Sequence, residues 1–213
     1  MNQENPASRP KIAGVILAGG RATRMGGGDK TLLPIDGRPI LSHVVERLRP
    51  QVDTLVLNAN GDPARFAAFG LPVVPDSIAG FAGPLAGILA GMDWAAAQGY
   101  ELLASAAGDT PFFPETLVAD LHEVMEREGK PIAMAMTPDP ERGLSRHPTF
   151  GLWSVSLRDD LRAALAEGQR KVIVWTEPIG CAKAVFEGEF PFFNVNTPED
   201  LERAHELLAG AAR

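Results

Sequence analysis

A chain of 213 residues suits one large domain better than two small ones, and at that length it buries roughly three quarters of its unfolded surface without needing a disulfide or structural metal. The formal net charge of −7 argues against broad binding to nucleic acid or an anionic membrane. A polyanion then binds only through a local basic site or an accompanying cation.

Cys181 is the single cysteine, so no intramolecular disulfide forms, and no Cys/His group stands at zinc-ligand spacing. This usage points to a reducing, cytoplasmic compartment. No apolar run approaches the roughly 20 residues that span a bilayer. Residues 1–10 are polar and lack the basic start and apolar stretch of a signal peptide, so they read as a disordered tail.

From there the elements follow in chain order. Lys11 to Leu17 is an apolar, β-branched run ending in glycines, which predicts a buried strand that stops at a loop. Ile40, Val44, Val45 and Leu48 stand at helical spacing between Pro39 and Pro50. Asp53 to Leu57 and Leu71 to Val74 are short buried strands, the second ending at Pro75-Asp76. Leu85, Ile88, Leu89, Met92 and Ala96 form a helical stripe behind Gly83-Pro84. Tyr100 to Ala107 is a strand ending at Gly108-Asp109, and Leu117, Leu121, Val124 and Met125 make a further helix with Pro114 in its first turn. Strands alternating with helices in this way predict an α/β fold, a Rossmann-like three-layer sandwich with a mostly parallel central sheet.

Past Pro114 the pattern changes. Pro131 to Met136 and Pro148 to Ser154 read as strands around the polar loop Thr137 to Arg146. Ser156 and Asp159 resemble a capping box for a helix over Leu157 to Ala166. Lys171 to Trp175 and Ala182 to Phe186 read as edge strands, and Thr197-Pro198-Glu199-Asp200 caps a final amphipathic helix through Leu208. No linker divides the chain, so 11–213 is expected to be one domain.

In an open parallel sheet, ligands bind beyond the carboxyl ends of the strands. Four such ends here carry glycine or polar residues: Gly19-Gly20, Asn58-Ala59-Asn60, Asp76 and Asp109. The loop from Leu17 to Lys30 is rich in glycine, which lets backbone N–H groups approach an anion closely. Arg24 and Lys30 add positive charge. Asp29 precedes the lysine where a P-loop needs glycine, and the spacing of a dinucleotide-binding turn is missing too. On composition alone this stretch reads equally as an ordinary glycine-rich surface loop.

Leu17-Ala18-Gly19-Gly20, Arg24-Met25-Gly26-Gly27 and Asp29-Lys30 together resemble the signature of nucleotidyltransferases with the glycosyltransferase-A-like fold. Asn58-Ala59-Asn60, Pro75-Asp76-Ser77, Gly83-Pro84-Leu85-Ala86-Gly87, Asp109-Thr110-Pro111, His147-Pro148-Thr149 and Asn194-Val195-Asn196-Thr197-Pro198 follow in order. That series is similar to the molybdenum cofactor guanylyltransferase family and covers nearly the whole chain, from about Lys11 to about Leu208.

The resemblance implies transfer of GMP from GTP to molybdopterin, giving the guanine dinucleotide cofactor and pyrophosphate. It implies that Leu17, Ala18, Gly19 and Gly20 contact the nucleotide, that Arg24 and Lys30 face its phosphates, and that Asn58 and Asp76 hold its guanine and ribose end. Asp109 would ligate Mg²⁺. On this reading residues 11–110 form a nucleotide-binding half and 111–213 an acceptor-binding half, with His147, Asn194 and Asn196 as acceptor contacts. The product would pass to molybdoenzymes or their maturation chaperones, with no nucleic acid or membrane as partner.

Each of these residues also has a plainer role. Asp109 before Thr110-Pro111 and Asp76 after Pro75 suit turns, and Asn194 and Asn196 stand where helix caps are common. Ser105-Ala106-Ala107-Gly108 departs from the bulkier or cysteine-containing stretches of relatives. His43, His122 and His205 fall on helices as solvated side chains, and the tryptophans as packing residues. Three rival functions remain open: a molybdopterin cytidylyltransferase using CTP, a sugar-phosphate nucleotidyltransferase, which usually has a longer chain, and a non-catalytic carrier of nucleotide or molybdopterin. Glycine at position 19, where the cytidylyl enzymes tend to have alanine, favours GTP.

Overall fold

The structure, a computed structural model, describes residues 10–19, 29–78, 80, 83–188 and 191–211. The tail expected over 1–10 therefore lies outside the described residues, Pro10 excepted. In chain order the elements are β1 (Ile12–Leu17), the small hairpin β2 (Pro34–Ile35) and β3 (Arg38–Pro39), α1 (Ile40–Leu48), β4 (Thr54–Asn58), β5 (Val73–Val74), α2 (Pro84–Ala97), β6 (Leu102–Ala107), α3 (Leu117–Glu128), β7 (Ile132–Asp139), β8 (Gly143–Ser154), α4 (Arg158–Ala166), α5 (Val172–Ile179), β9 (Ala182–Val185) and α6 (Pro198–Ala211).

Seven strands form one sheet in the order β5-β4-β1-β6-β8-β7-β9. β5, β4, β1 and β6 pair in parallel, as do β7 and β9, while β8 pairs antiparallel with both its neighbours. Only β8 runs against the rest, so the sheet is mostly parallel. It draws strands from before and after residue 110 alike.

Alternation along β1 divides the core into two layers. Ile12 and Ile16 join α1 and α3 on one face, while Ala13 and Val15 join α2, α4 and α5 on the other. Both faces are covered, which is why this strand reads as a continuous apolar run. Helix α2 lies close against the sheet because Gly87 and Gly91, one turn apart, carry no side chain. A Cβ on Gly91 would sit 2.9 Å from both Val15 Cγ1 and Leu103 Cδ2.

Three local expectations fail. Residues 171–175 form no edge strand; Val172–Ile179 is helix α5. The β-branched run Val-Ile-Val suggests a strand, but Val172, Trp175 and Thr176 are the buried positions, at helical spacing. Trp175 also stacks on Trp153 at 6.0 Å and donates its indole N–H to Asp160 at 2.7 Å. Tertiary packing thus outweighs local propensity.

The stretch 137–146 is mostly strand rather than loop, since β7 and β8 continue through it in register to Asp139↔Gly143. Its polar residues occupy a projecting hairpin, where Asp139 accepts the Glu141 and Arg142 N–H groups and the Ser145 hydroxyl. Finally, Ser156 caps nothing. Its hydroxyl pairs with Ser154, and a 3-10 turn over Val155–Leu157 leads into α4.

The capping box at the last helix does form. Thr197 and Asp200 each accept the other's backbone N–H, at 3.2 and 2.9 Å.

Replacing Gly91 with alanine should force α2 away from β1 and β6 and lower stability by about 1–3 kcal/mol, the usual range for overpacking a dense core. Urea denaturation of the variant beside the parent measures it; an unchanged midpoint would show that α2 has room to spare.

Candidate active site

Because β1, β4 and β6 are parallel and adjacent, their carboxyl ends emerge side by side. Leu17 is level with Asn58 on one side and Ala107 on the other. A cleft of about 980 Å³ opens there, lined by Leu17, Gly19, Lys30, Asn58, Asp76, Asp109 and Asn194 among others. Seven of the residues singled out from sequence thus share one surface. Ala18 does not reach it. It is fully buried, and its N–H extends the ladder to the Asn58 carbonyl at 2.9 Å. Gly108 lets β6 pass tightly under the loop, since a Cβ there would meet Thr31 Cγ2 at 2.9 Å and the Leu17 carbonyl at 3.1 Å.

Lys30 is the hub. Only 7% of it is exposed, and a 3-10 turn over Lys30–Leu32 aims its ammonium inward. Nζ donates to Asp109 Oδ2 at 2.6 Å, to Asn196 Oδ1, and to Asn194 Oδ1 at 3.4 Å. Three acceptors match the three protons of an ammonium. The Val195 N–H donates to the Asp109 carbonyl at 2.9 Å, so the 194–196 segment is tied to Asp109 through the main chain too. The Asn196 and Thr197 N–H groups both donate to Asp200, so the α6 cap holds the two asparagines in place.

At the other end of the cleft Asp76 is held by amides instead of cations. Oδ1 accepts from Asn58 Nδ2 at 3.0 Å and Oδ2 from Asn60 Nδ2 at 2.8 Å, while the Asp76 N–H donates back to Asn60 Oδ1 at 2.9 Å. The carboxylate keeps its charge, and each oxygen retains a free lone-pair direction.

Of the remaining sequence candidates, Gly20 and Arg24 lie outside the described residues. His147 does not line the cleft; Thr149, two residues on, does. The imidazole stacks on Phe192 at 4.3 Å, and its Nε2 lies 2.9 Å from the Thr137 hydroxyl. Its backbone enters a bulge: the register with β7 jumps from Met134↔Gly151 to Ala135↔His147, leaving 148–150 unpaired. Pro148, which has no N–H to give a ladder, sits inside that bulge. Ser105 stabilises it by donating to the Thr149 carbonyl at 2.8 Å and accepting the Trp153 indole N–H at 2.9 Å.

Sequence reasoning missed Asp29 and Arg65 as a lining pair, joined at 2.9 Å. Nothing in the spacing of residues 36 apart marks such a contact. It also missed Thr31, whose hydroxyl is the one buried side-chain polar atom among the described residues that has no hydrogen-bond partner. His205 is exposed, as expected, and its Nδ1 accepts the Asp36 N–H at 3.2 Å, while His43 is half-buried with its Nε2 3.3 Å from the Ile35 carbonyl. Both brace the β2–β3 turn. Cys181 offers no nucleophile, since burial pushes its thiol up to about 11.

Among the described residues no three His, Cys, Asp or Glu side chains gather into a metal cage. Mg²⁺ does not require one. It is commonly held by one or two carboxylates plus substrate phosphates and water. Asp109 fits that role, because it stands on the cleft wall and its Oδ1 meets only the Thr110 hydroxyl, at 3.2 Å. No helix among the described residues is long and apolar enough to cross a membrane.

The chain is similar to known proteins over most of its length. Residues 14–179 match the MobA-like NTP transferase domain. The chain is 51% identical over 203 residues to a molybdenum cofactor guanylyltransferase of Bradyrhizobium sp. (strain ORS 278), covering 93% of each chain. It is 48% identical to one of Nitrobacter hamburgensis, covering 94% of this chain and 96% of that one. Among solved structures, the molybdopterin-guanine dinucleotide biosynthesis protein A of Archaeoglobus fulgidus superposes with a TM-score of 0.73 at 25% identity, over 93% of this chain and 99% of that one.

Two outcomes follow from the site. An unpartnered buried hydroxyl is a net cost, so Thr31→Val should raise the stability of the ligand-free protein by about 1 kcal/mol; a thermal melt that falls instead would mean the hydroxyl has a partner. Burial lowers the His147 pKa below the ordinary imidazole value. The unfolded chain then takes up the proton first, so the stability His147 lends is whole above the unfolded pKa of about 6.5 and fades as pH drops through the folded one. His147→Gln should therefore lose less stability than the parent between pH 7 and pH 5, read from urea midpoints at each pH.

Proposed function

The chain belongs to the MobA-like NTP transferase family, and from that membership we propose that it transfers GMP from GTP to molybdopterin, forming the guanine dinucleotide cofactor and pyrophosphate. The observation that carries this reading is the Lys30–Asp109–Asn194–Asn196 cluster at the mouth of a cleft whose opposite wall presents Asp76 on two asparagine amides.

In the reaction a phosphate oxygen of the acceptor attacks the α-phosphorus of GTP, a new phosphoanhydride bond forms, and the bond to the β-phosphate breaks. Pyrophosphate leaves with the electron pair. The nucleophile is already ionised at neutral pH, so no general base is needed. The obstacle is repulsion between two polyanions. Asp109 would hold a magnesium ion, which would supply charge neutralisation to the triphosphate.

The protein's own groups do the rest. Lys30, already buried and aimed, supplies positive charge against the negative charge that gathers on the departing phosphates, once they draw it from Asp109. Leu17, Gly19 and the loop through Gly20 bring backbone close to the nucleotide, with Arg24 as a second cation. Asn58 and Asp76 receive the guanine and ribose end. Asn194 and Asn196, poised beside Lys30, exchange its ammonium for donors on the acceptor, while His147 stands behind Thr149 and shapes the acceptor wall through the bulge. A single half-buried cysteine and the soluble chemistry of both substrates fit a cytoplasmic enzyme. Its product is of use only to molybdoenzymes, directly or through a chaperone.

Incubation with MgGTP and molybdopterin should release pyrophosphate and the guanine dinucleotide, with a thermal shift selective for MgGTP over MgCTP and MgATP. Lys30→Ala and Asp109→Asn should each slow turnover by about 10²–10³-fold, the usual loss on removing one preorganised electrostatic group. Product made only from CTP would convert the assignment to cytidylyl transfer. GTP binding without product would make the protein a carrier.

A further inference from the structure

Lys30 and Asp76 stand on separate segments at opposite ends of the cleft, and one side chain spans the gap between those segments. Arg65 lies on the 3-10 turn Pro63–Phe69 that follows β4, a turn capped by Asp62 through the Ala64 N–H at 2.9 Å. Its Nη2 donates to the Asn60 carbonyl at 2.5 Å, its Nε pairs with Asp29 Oδ2 at 2.9 Å, and its guanidinium carbon lies 4.8 Å from the Phe66 ring centre. Asn60 is the residue that grips Asp76 in a reciprocal pair. Asp29 immediately precedes Lys30 and accepts the Leu32 N–H through its carbonyl at 3.0 Å, closing the turn that aims the lysine.

We infer that Arg65 is a positioning residue, a strap that fixes the distance between the nucleoside wall and the phosphate-facing lysine. The inference rests on the functional reading above and adds to it how the enzyme keeps the two ends of one nucleotide in register. A planar guanidinium suits this task because its donors diverge in a fixed fork and reach two acceptors at once. Its stacking on Phe66 holds the plane in place from a third side. Asp29 is largely covered, at 19% exposure of its side chain, so the pair is better shielded than an open surface bridge. In the strapped state the nucleotide meets a wall and a cation already set apart by the right span, and binding does not have to order them.

The loss should therefore appear in nucleotide binding ahead of the chemical step. Arg65→Gln and Asp29→Asn should each raise KM for the nucleotide about tenfold, the scale of one charge-assisted hydrogen bond. The fall in kcat should be several times smaller, and KM for the acceptor and the melting temperature should stay near parental values. The double variant should be no worse than either single one, because both break the same strap. Arg65→Lys should behave like Arg65→Gln, since an ammonium keeps the charge without the fork.

All four proteins and the parent are assayed with MgGTP, MgCTP and MgATP, and the strap is read on whichever nucleotide the parent uses. Parental KM in both single variants overturns the strap, as does full rescue by lysine or simple addition of the two effects. Should Arg65→Gln fail to fold, Asp29→Asn decides alone. Turnover with CTP in place of GTP overturns the functional reading and leaves the strap to be judged on CTP; a parent inert with all three nucleotides removes both.

Discussion

A nearly buried ammonium must be neutralised, and in this protein that requirement draws the site together. Lys30 arrives from the loop after β1, Asp109 from the end of β6, and the two asparagines from the segment before α6. Burying a lysine without partners would cost several kcal/mol or strip it of its proton. The four side chains are therefore obliged to meet, and three separate parts of the chain are fixed relative to one another by one cation. The ion pair joins a lysine and a carboxylate from distant parts of the chain on the wall of one cleft.

This explains why the second half of the chain belongs to the same unit as the first. Strands β7, β8 and β9 extend the sheet laid down by β5, β4, β1 and β6, and α6 returns to pack on the β2–β3 hairpin near the lysine turn. The helix matters for its beginning. Its capping box satisfies the N–H groups of Asn196 and Thr197 with Asp200, so a device that ordinarily serves helix stability here sets the aim of two asparagine amides. The bulge in β8 works in the same manner beside β6: a proline breaks the ladder, Ser105 takes up the stranded Thr149 carbonyl, and Thr149 lines the cleft.

Much of the scaffold was legible because its strands are covered on both faces and so read as unbroken apolar runs; β1, β4 and β6 are of this kind. Helix α5 was not, because Val-Ile-Val carries strand propensity and only the contact of Trp175 with Trp153 and Asp160 reveals the helical period. The long β7–β8 hairpin was hidden by polar side chains that face water on a projecting ribbon. In the site, Lys30 and Asp109 were recognisable through an ordered set of motifs, whereas composition alone allowed each a lesser role. Asp29 stands in the Asp29-Lys30 pair of the signature, but Arg65 belongs to no motif. Their contact comes from the fold of a turn after β4, and only three-dimensional proximity discloses it. Thr31 shows the same limit from the other side, since an unpartnered hydroxyl is a property of surroundings and not of sequence.

The three carboxylates described in the cleft are treated in two different ways, and the difference divides the ligand's work. Asp29 and Asp109 are each paired with a cation, Arg65 and Lys30 respectively, so each of these two negative charges is offset by its partner. Asp76 is held by the amides of Asn58 and Asn60, which fix its direction without cancelling its charge. A carboxylate held in this way stays an acceptor for hydroxyl and N–H donors. The same acidic side chain thus presents two different surfaces to the cleft, and what distinguishes them is whether its partner brings a charge or only a dipole.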